Sequence, residues 1–386
     1  MPAARTAGRR LITWRWQLGS VALIILIVGG VTIAIVQLVR LGLPGENADV
    51  DSIAQLTSVD APVFAEQTPL AGQSIGSEPA VQPTLAPAQT ITGEALLSPT
   101  IATTAAHVEF SEPQAIAVDN DGNLYVMDHL NHGVQKYAPD GTSLIQWGSQ
   151  GSEHGQFNYP RGIAIDADNN VYVADYGNHR IQKFATDGTF LDAWGSQGSE
   201  QGQFSFPWSI AVDAAGNVYV ADSGNNRIQK FAANTTFLGA WGSYGGSEGQ
   251  FSSPWGIAVD VVGNVYVADS SNDRIQKFAA DGTFLGTWGN RGSEQGEFIH
   301  PQGISVGADR NIYVVDYGNH RIQKFVTNGT FLGAWGSKGS GQGQFDFPQN
   351  IAIDADGNVY VVDSGNNRIQ KFTADGKFLT MWGGEE

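Results

Sequence analysis

The sequence predicts an all-β protein: a six-bladed β-propeller of four-stranded antiparallel blades, preceded by one transmembrane helix and a disordered linker. Three observations predict it. Pro113, Pro160, Pro207, Pro254, Pro301 and Pro348 recur every 47 residues without an insertion, and Trp147, Trp194, Trp241, Trp288, Trp335 and Trp382 recur at the same period. A fixed period of this size marks a repeat architecture. Each unit then holds four short β-branched or aromatic runs and no run of helix length. Finally, residues 18–39 (LGSVALIILIVGGVTIAIVQLV) carry no charge.

The elements follow in chain order. Residues 1–17 form a basic tail with Arg5, Arg9, Arg10 and Arg15. The apolar stretch that follows, assigned as a signal-anchor over 18–42, reaches about 33 Å at roughly 1.5 Å per residue, enough for a bilayer core. Only Arg40 follows it before Glu46, Asp49 and Asp51, so the positive-inside rule keeps the N-terminus cytoplasmic and places the propeller outside the cell. A cleaved signal peptide is the competing reading; the apolar core is long for one, and no A-x-A-like site follows closely. Residues 43–106 are rich in Pro, Ala, Thr, Ser and Gln, with Phe64 as their one aromatic, and read as a flexible stalk. As a coil it spans on the order of 45 Å. Cysteine is absent, which removes disulfides and thiolate metal sites.

The propeller is expected over 107–386. Its second unit contains GIAID, VYVAD, RIQKF and TFLDAW, separated by Asp, Asn, Gly and Thr turn residues. Four strands repeated six times with tight turns suit propeller blades, which leave only short, protected edges. Ile163, Ile165, Val171 and Val173 alternate as residues that fill the space between blades, and the tryptophan ending strand four is a wedge between blades.

The pattern P-x-G-I-A-[IV]-D-x-x-x-N-V-Y-V-A-D-x-[GS]-N-x-R-I-Q-K-F resembles the NHL repeat, with Asn178-His179-Arg180 and Asn319-His320-Arg321 at its naming tripeptide. The resemblance extends over all six units. Two depart locally: the first has Asn131-His132-Gly133, without the arginine, and the fifth has Gly307 where the others have aspartate. What it implies is a six-bladed propeller used as a binding platform.

Positions identical in every unit maintain the blade, and those that differ are free to build a site. Asp128 and its five counterparts are identical, and five of the six face an arginine five residues on, giving structural pairs Asp175–Arg180, Asp222–Arg227, Asp269–Arg274, Asp316–Arg321 and Asp363–Arg368. The turns DNDGN at Asp119 and DADGN at Asp354 look like the start of a calcium loop but lack its later ligands, and serve hairpins instead.

The variable positions flank the repeated proline. After it stand Gln114, Arg161, Trp208, Trp255, Gln302 and Gln349; before it stand Glu112, Tyr159, Phe206, Ser253, His300 and Phe347. These should line one mouth of the central channel, joined by strand-two turn residues that include His129, Tyr176 and Tyr317. Trp208, Trp255, Arg161, Tyr159, Phe206, Gln302, Gln349, Tyr176 and Tyr317 are the ligand-binding candidates. Exposed aromatics with one arginine and several amides suit a protein, peptide or glycan partner. The alternative for the two tryptophans is that they plug the channel.

Catalysis is the runner-up. Related six-bladed propellers, among them amidating lyases and lactonases, hold a metal in the channel, and Glu112 and His300 stand at the ring; two dissimilar ligands are a weak metal signal. No catalytic residue, metal or cofactor is assigned. Nucleic acid is excluded on charge: residues 107–386 hold 16 Lys or Arg against 31 Asp or Glu, a net of 16 − 31 = −15, which repels phosphate. A largely structural role without a small ligand fits the same repeats.

Overall fold

The computed structural model describes residues 110–384 and the backbone of 22–28 and 31–37. The calls on the basic tail, the stalk and the rest of the anchor lie outside these residues.

Where a single helix was expected, Ala22–Val28 and Val31–Gln37 pair as an antiparallel hairpin, in register from Ala22 opposite Gln37 to Val28 opposite Val31. Both segments are rich in β-branched Ile and Val, which favour strands. Among the described residues no helix is long and apolar enough to cross a membrane.

The six units fold as six four-stranded antiparallel sheets with strands in sequence order. In blade three the strands are Pro207–Val212, Val218–Asp222, Arg227–Phe231 and Phe237–Trp241. Strand one joins strand two through a hairpin with Gly216 at φ +79°, and Ser223–Asn225 form a 3-10 turn between strands two and three. That turn ends on Asn226 in the left-handed region, so that Asp222 lies opposite Arg227 in register.

Burial grades outward along each blade. The second strand VYVAD is buried at all five positions, whereas the fourth strand FLGAW alternates partly buried and exposed residues. Each hydrophobic cluster belongs to a pair of neighbouring blades. One joins Ala115, Tyr125, Met127 and Trp147 of blade one to Ile163, Val171, Val173 and Phe184 of blade two. Trp147 sits edge-on to Tyr125 at 6.2 Å and 6.1 Å from Phe184, as a wedge between blades.

The first strands contact one another around the ring, including that of blade six against that of blade one. Their approach explains the glycine of P-x-G: a Cβ on Gly256 would meet the Gln302 carbonyl oxygen at 1.9 Å. The ring closes by packing, not by a shared sheet. Phe110, Ile116, Val126 and Tyr137 of blade one bury against Tyr360, Val362 and Ile369 of blade six.

Both departing units have a local explanation. In blade five, Asp309 takes over from the aspartate replaced by Gly307, accepting from Tyr313 Oη at 3.0 Å and pairing with Lys324 Nζ at 2.9 Å. In blade one, Asp128 still accepts from the Ser111 amide, Asn131 and Gln135.

Candidate functional site

Each strand-two aspartate is the hub of a buried node. Asp222, with no exposed surface, accepts from Arg227 Nε at 2.8 Å, Asn225 Nδ2 at 2.9 Å, Gln229 Nε2 at 3.1 Å and the Ser205 amide at 2.7 Å. Asp175, Asp269, Asp316 and Asp363 pair with their arginines at 2.7–2.8 Å in the same way. Burial pushes the Asp175 carboxyl up, against the opposing pull of the Asn158 amide, Asn178 and Arg180. The rest of the arginine grips the loop arriving from the preceding blade: Arg227 Nη1 and Nη2 donate to the carbonyls of Ser199, Glu200 and Gln203. These nodes therefore fasten blade to blade. The positions equivalent to that loop for blade one precede Phe110 and lie outside the described residues.

A second circuit runs closer to the channel, and sequence reasoning missed it. The residue ending each 3-10 turn, or its equivalent in blade one, is left-handed and offers a side-chain acceptor to the amide preceding the next blade's proline. His132 Nδ1 accepts from Tyr159, His179 Nδ1 from Phe206, Asn226 from Ser253, Asp273 from His300, His320 Nδ1 from Phe347, and Asn367 from Glu112, at 2.8–3.1 Å. The donors are themselves left-handed, with φ from 48° to 54°, a conformation costing a non-glycine residue roughly 1 kcal/mol. The signal was present in the sequence: this position is always His, Asn or Asp, the residues that combine an acceptor with tolerance of positive φ.

This circuit aims the pre-proline side chains at the mouth of the channel. Tyr159, Phe206 and Phe347 remain 40–43% exposed there, large for aromatic rings. Tyr159 leans on His129 and His132, Phe206 on Tyr176 and His179, and Phe347 on Tyr317 and His320, at 4.5–5.1 Å.

Within the mouth a cavity of about 240 Å³ is lined by Arg161, Trp208, Trp255, Ser271, His300, Gln302, Tyr317 and Gln349. Six of the nine residues singled out from the sequence thus meet around one space, and Tyr159, Phe206 and Tyr176 stand outside its lining. Trp208 and Trp255, from adjacent blades, stack face to face with centroids 4.7 Å apart and planes 14° apart. The Arg161 guanidinium lies over the Trp208 ring at 4.4 Å and near the Tyr176 ring at 5.4 Å. Its Nη1 donates to Gln114 Oε1 at 2.7 Å. Among the described residues no carboxylate lies within 4.0 Å of Arg161. Burial holds its pKa below the usual guanidinium value.

Three buried polar atoms at this cavity have no hydrogen-bond partner: Arg161 Nε, His300 Nδ1 and Gln302 Oε1. Apart from the repeated tryptophan Nε1 atoms and Asp346 Oδ1, they are all such atoms among the described residues. Glu112 lies on the same rim. Among the described residues no three His, Asp or Glu side chains converge as a metal-binding set.

Fold and ring together define a six-bladed NHL-repeat β-propeller. Five NHL repeats are recognised, over residues 157–184, 204–231, 251–278, 298–325 and 345–372. The first unit, expected to be a sixth, is not among them; it lacks the arginine and has Met127 and Tyr137 where all five other units have Ala or Val and Phe. Comparison with curated proteins gives no match. Among solved structures the chain resembles a streptogramin B lyase, at 16% identity over 76% of this chain and 90% of that chain, with a TM-score of 0.52. It also resembles virginiamycin B lyase from Staphylococcus aureus, at 15% identity over 72% and 88% of the two chains, TM-score 0.51. A protein of unknown function from Bacteroides thetaiotaomicron aligns at 19% identity over 69% and 70%, TM-score 0.55. At these identities the likeness concerns the fold.

Proposed function

We propose that this chain is a membrane-anchored, extracytoplasmic and non-catalytic propeller that binds a protein, peptide or glycan at its channel mouth. One observation carries the binding reading. The side chains that depart from the repeat gather at one cavity and leave three buried polar atoms unpaired there. An unpaired buried polar atom costs about 1–3 kcal/mol, and apart from the repeated tryptophan Nε1 atoms and Asp346 Oδ1 the buried side-chain polar atoms of the described residues are paired, so these atoms suit a ligand that completes them. The exposed aromatic rim supplies contact area at small entropic cost. The test is affinity capture with the full chain in detergent, wild type against Trp208→Ala/Trp255→Ala. A ligand retained by the wild type and lost by a normally melting variant is the expected result; identical capture by both removes the mouth as the site.

The anchor reading rests on the uncharged stretch 18–39 and its arginine flank. Because the chain has no cysteine, single cysteines report topology cleanly. In intact cells a membrane-impermeant maleimide should label Ser199→Cys and leave Thr6→Cys unlabelled. The reverse pattern inverts the topology, and labelling of neither places the propeller inside.

The unpaired His300 Nδ1 favours a second reading, a metal-dependent lyase or lactonase using His300 and Glu112. Turnover of a lactone or a cyclic depsipeptide by the wild type, abolished in His300→Ala, would establish it over the binding platform.

A further inference from the structure

We propose that the cavity at the channel mouth captures the C-terminal carboxylate of a peptide, with Arg161 as its anion receptor. The inference rests on the reading of this mouth as a binding site and adds the chemistry of what enters it.

Arg161 is an unusual cation in this molecule. Its surroundings are acidic overall, and each of the other repeat arginines from Arg180 to Arg368 is neutralised by an aspartate at 2.7–2.8 Å. Arg161 has no such partner among the described residues, yet it is half-buried and held rigidly. Trp208 covers its face and Gln114 fixes Nη1. Those two contacts leave the edge bearing Nε, and Nε is buried without a partner. That edge of a guanidinium forms the paired N–H···O bonds that match a carboxylate, with more directionality than a lysine could provide.

Gln302 selects the neighbouring group. Gln302 lines the same cavity and is 5% exposed, and its Oε1 is buried with nothing to accept from. A carboxylate has no proton to give it. The ligand must therefore carry an N–H or O–H donor close to its anion, and the last peptide unit of a chain has an amide N–H beside its α-carboxylate. A volume of about 240 Å³ is below the roughly 300–1,000 Å³ of pockets that enclose a whole ligand, so it suits a chain end. Upstream residues would run onto the exposed Tyr159, Phe206 and Phe347. Glu112, on the same rim, disfavours ligands with a second anionic group near the first.

The test uses the full chain in detergent, titrated calorimetrically with acetylated Gly-Ala-Xaa tripeptides bearing a free C-terminus, their C-terminally amidated twins, and trigalacturonate. Free-acid peptides should bind, and amidation or Arg161→Lys should weaken binding about tenfold or more. Comparison of acid with amide on the wild type decides the matter even if an Arg161 variant melts early. Equal binding of acid and amide overturns carboxylate capture while leaving a binding platform in place. Binding of trigalacturonate with none of the tripeptides keeps the anion receptor and overturns the peptide terminus. Binding of no probe overturns the inference, and the capture experiment then judges the platform separately.

Discussion

Asn367 Oδ1 accepts a hydrogen bond from the Glu112 backbone amide at 2.9 Å, joining the last blade to the first across 255 residues of chain. The same contact recurs between every pair of neighbouring blades, but here it closes the ring, where no covalent loop passes from blade to blade. Asn367 has φ 50°. Two terms separate when it is replaced.

Asn367→Gly loses the acceptor and keeps an easy left-handed backbone; Asn367→Ala loses both. Urea denaturation of the propeller should therefore show the alanine variant less stable than the glycine variant by about 1 kcal/mol. Equal midpoints would mean that the left-handed geometry carries no cost at this junction.

The buried node at Asp222 should be far less tolerant. Asp222→Ala leaves the Arg227 guanidinium, the Asn225 and Gln229 amides and the Ser205 N–H without their acceptor. Breaking a buried pair in this way costs roughly 3–5 kcal/mol, a fall on the order of 6–15 °C in Tm. Gly133→Arg in blade one should bring no gain, because a Cβ there meets the Trp147 carbonyl oxygen at 3.0 Å. An unchanged melt for Asp222→Ala would remove the node as a structural device.

Acidification should weaken the ring through three histidines. Burial, the largest cause, pushes His179 and His320 below the usual imidazole value and His129 down to about 4. His179 and His320 must be neutral at Nδ1 to accept, while His129 Nδ1 donates to the Pro160 carbonyl at 3.2 Å. Arg161 and His132 add to the lowering at His129; Asp222 and Asp175 oppose it at His179, and Asp346, Asp363 and Asp316 oppose it at His320, where Lys338 adds to it. A group lowered in the folded state binds its proton more readily when unfolded. Its contribution is complete above about 6.5 and is lost as pH falls through the lowered value. Tm should thus fall from pH 7 to pH 5. The triple variant His129→Ser, His179→Asn, His320→Asn should flatten that slope, since Ser223 and Ser270 already donate to the matching proline carbonyls and Asn226 and Asn367 already serve as acceptors.

The Trp208–Trp255 stack predicts an energetic coupling. A double-mutant cycle with Trp208→Ala and Trp255→Ala should give an interaction of about 0.5–1.5 kcal/mol beyond the single losses. Additive losses would show that the two rings act independently.

The sequence by itself determined the blade. The 47-residue period, the turn residues and the four β-rich runs set strand order and register, because these depend on local chemistry and on repetition. It also marked the pre- and post-proline positions as variable, since departures from an internal repeat are visible without coordinates. The pairing of Asp175 with Arg180 is likewise a local matter, five residues apart across one turn.

Only the tertiary structure decided which departures meet. Arg161, Trp208 and Trp255 are each 47 residues apart, and nothing local says that Arg161 covers Trp208, that Trp208 stacks on Trp255 or that Gln302 is left without a donor. That follows from the curvature of the closed ring, which brings the starts of the first strands to one mouth. The same holds for the left-handed circuit, whose donors and acceptors belong to successive blades, and for the repeat arginines, whose second task is to hold the loop from the preceding blade. Segments 22–28 and 31–37 carry a parallel lesson: hydropathy reports an apolar stretch, while the hairpin depends on strand pairing that hydropathy does not register.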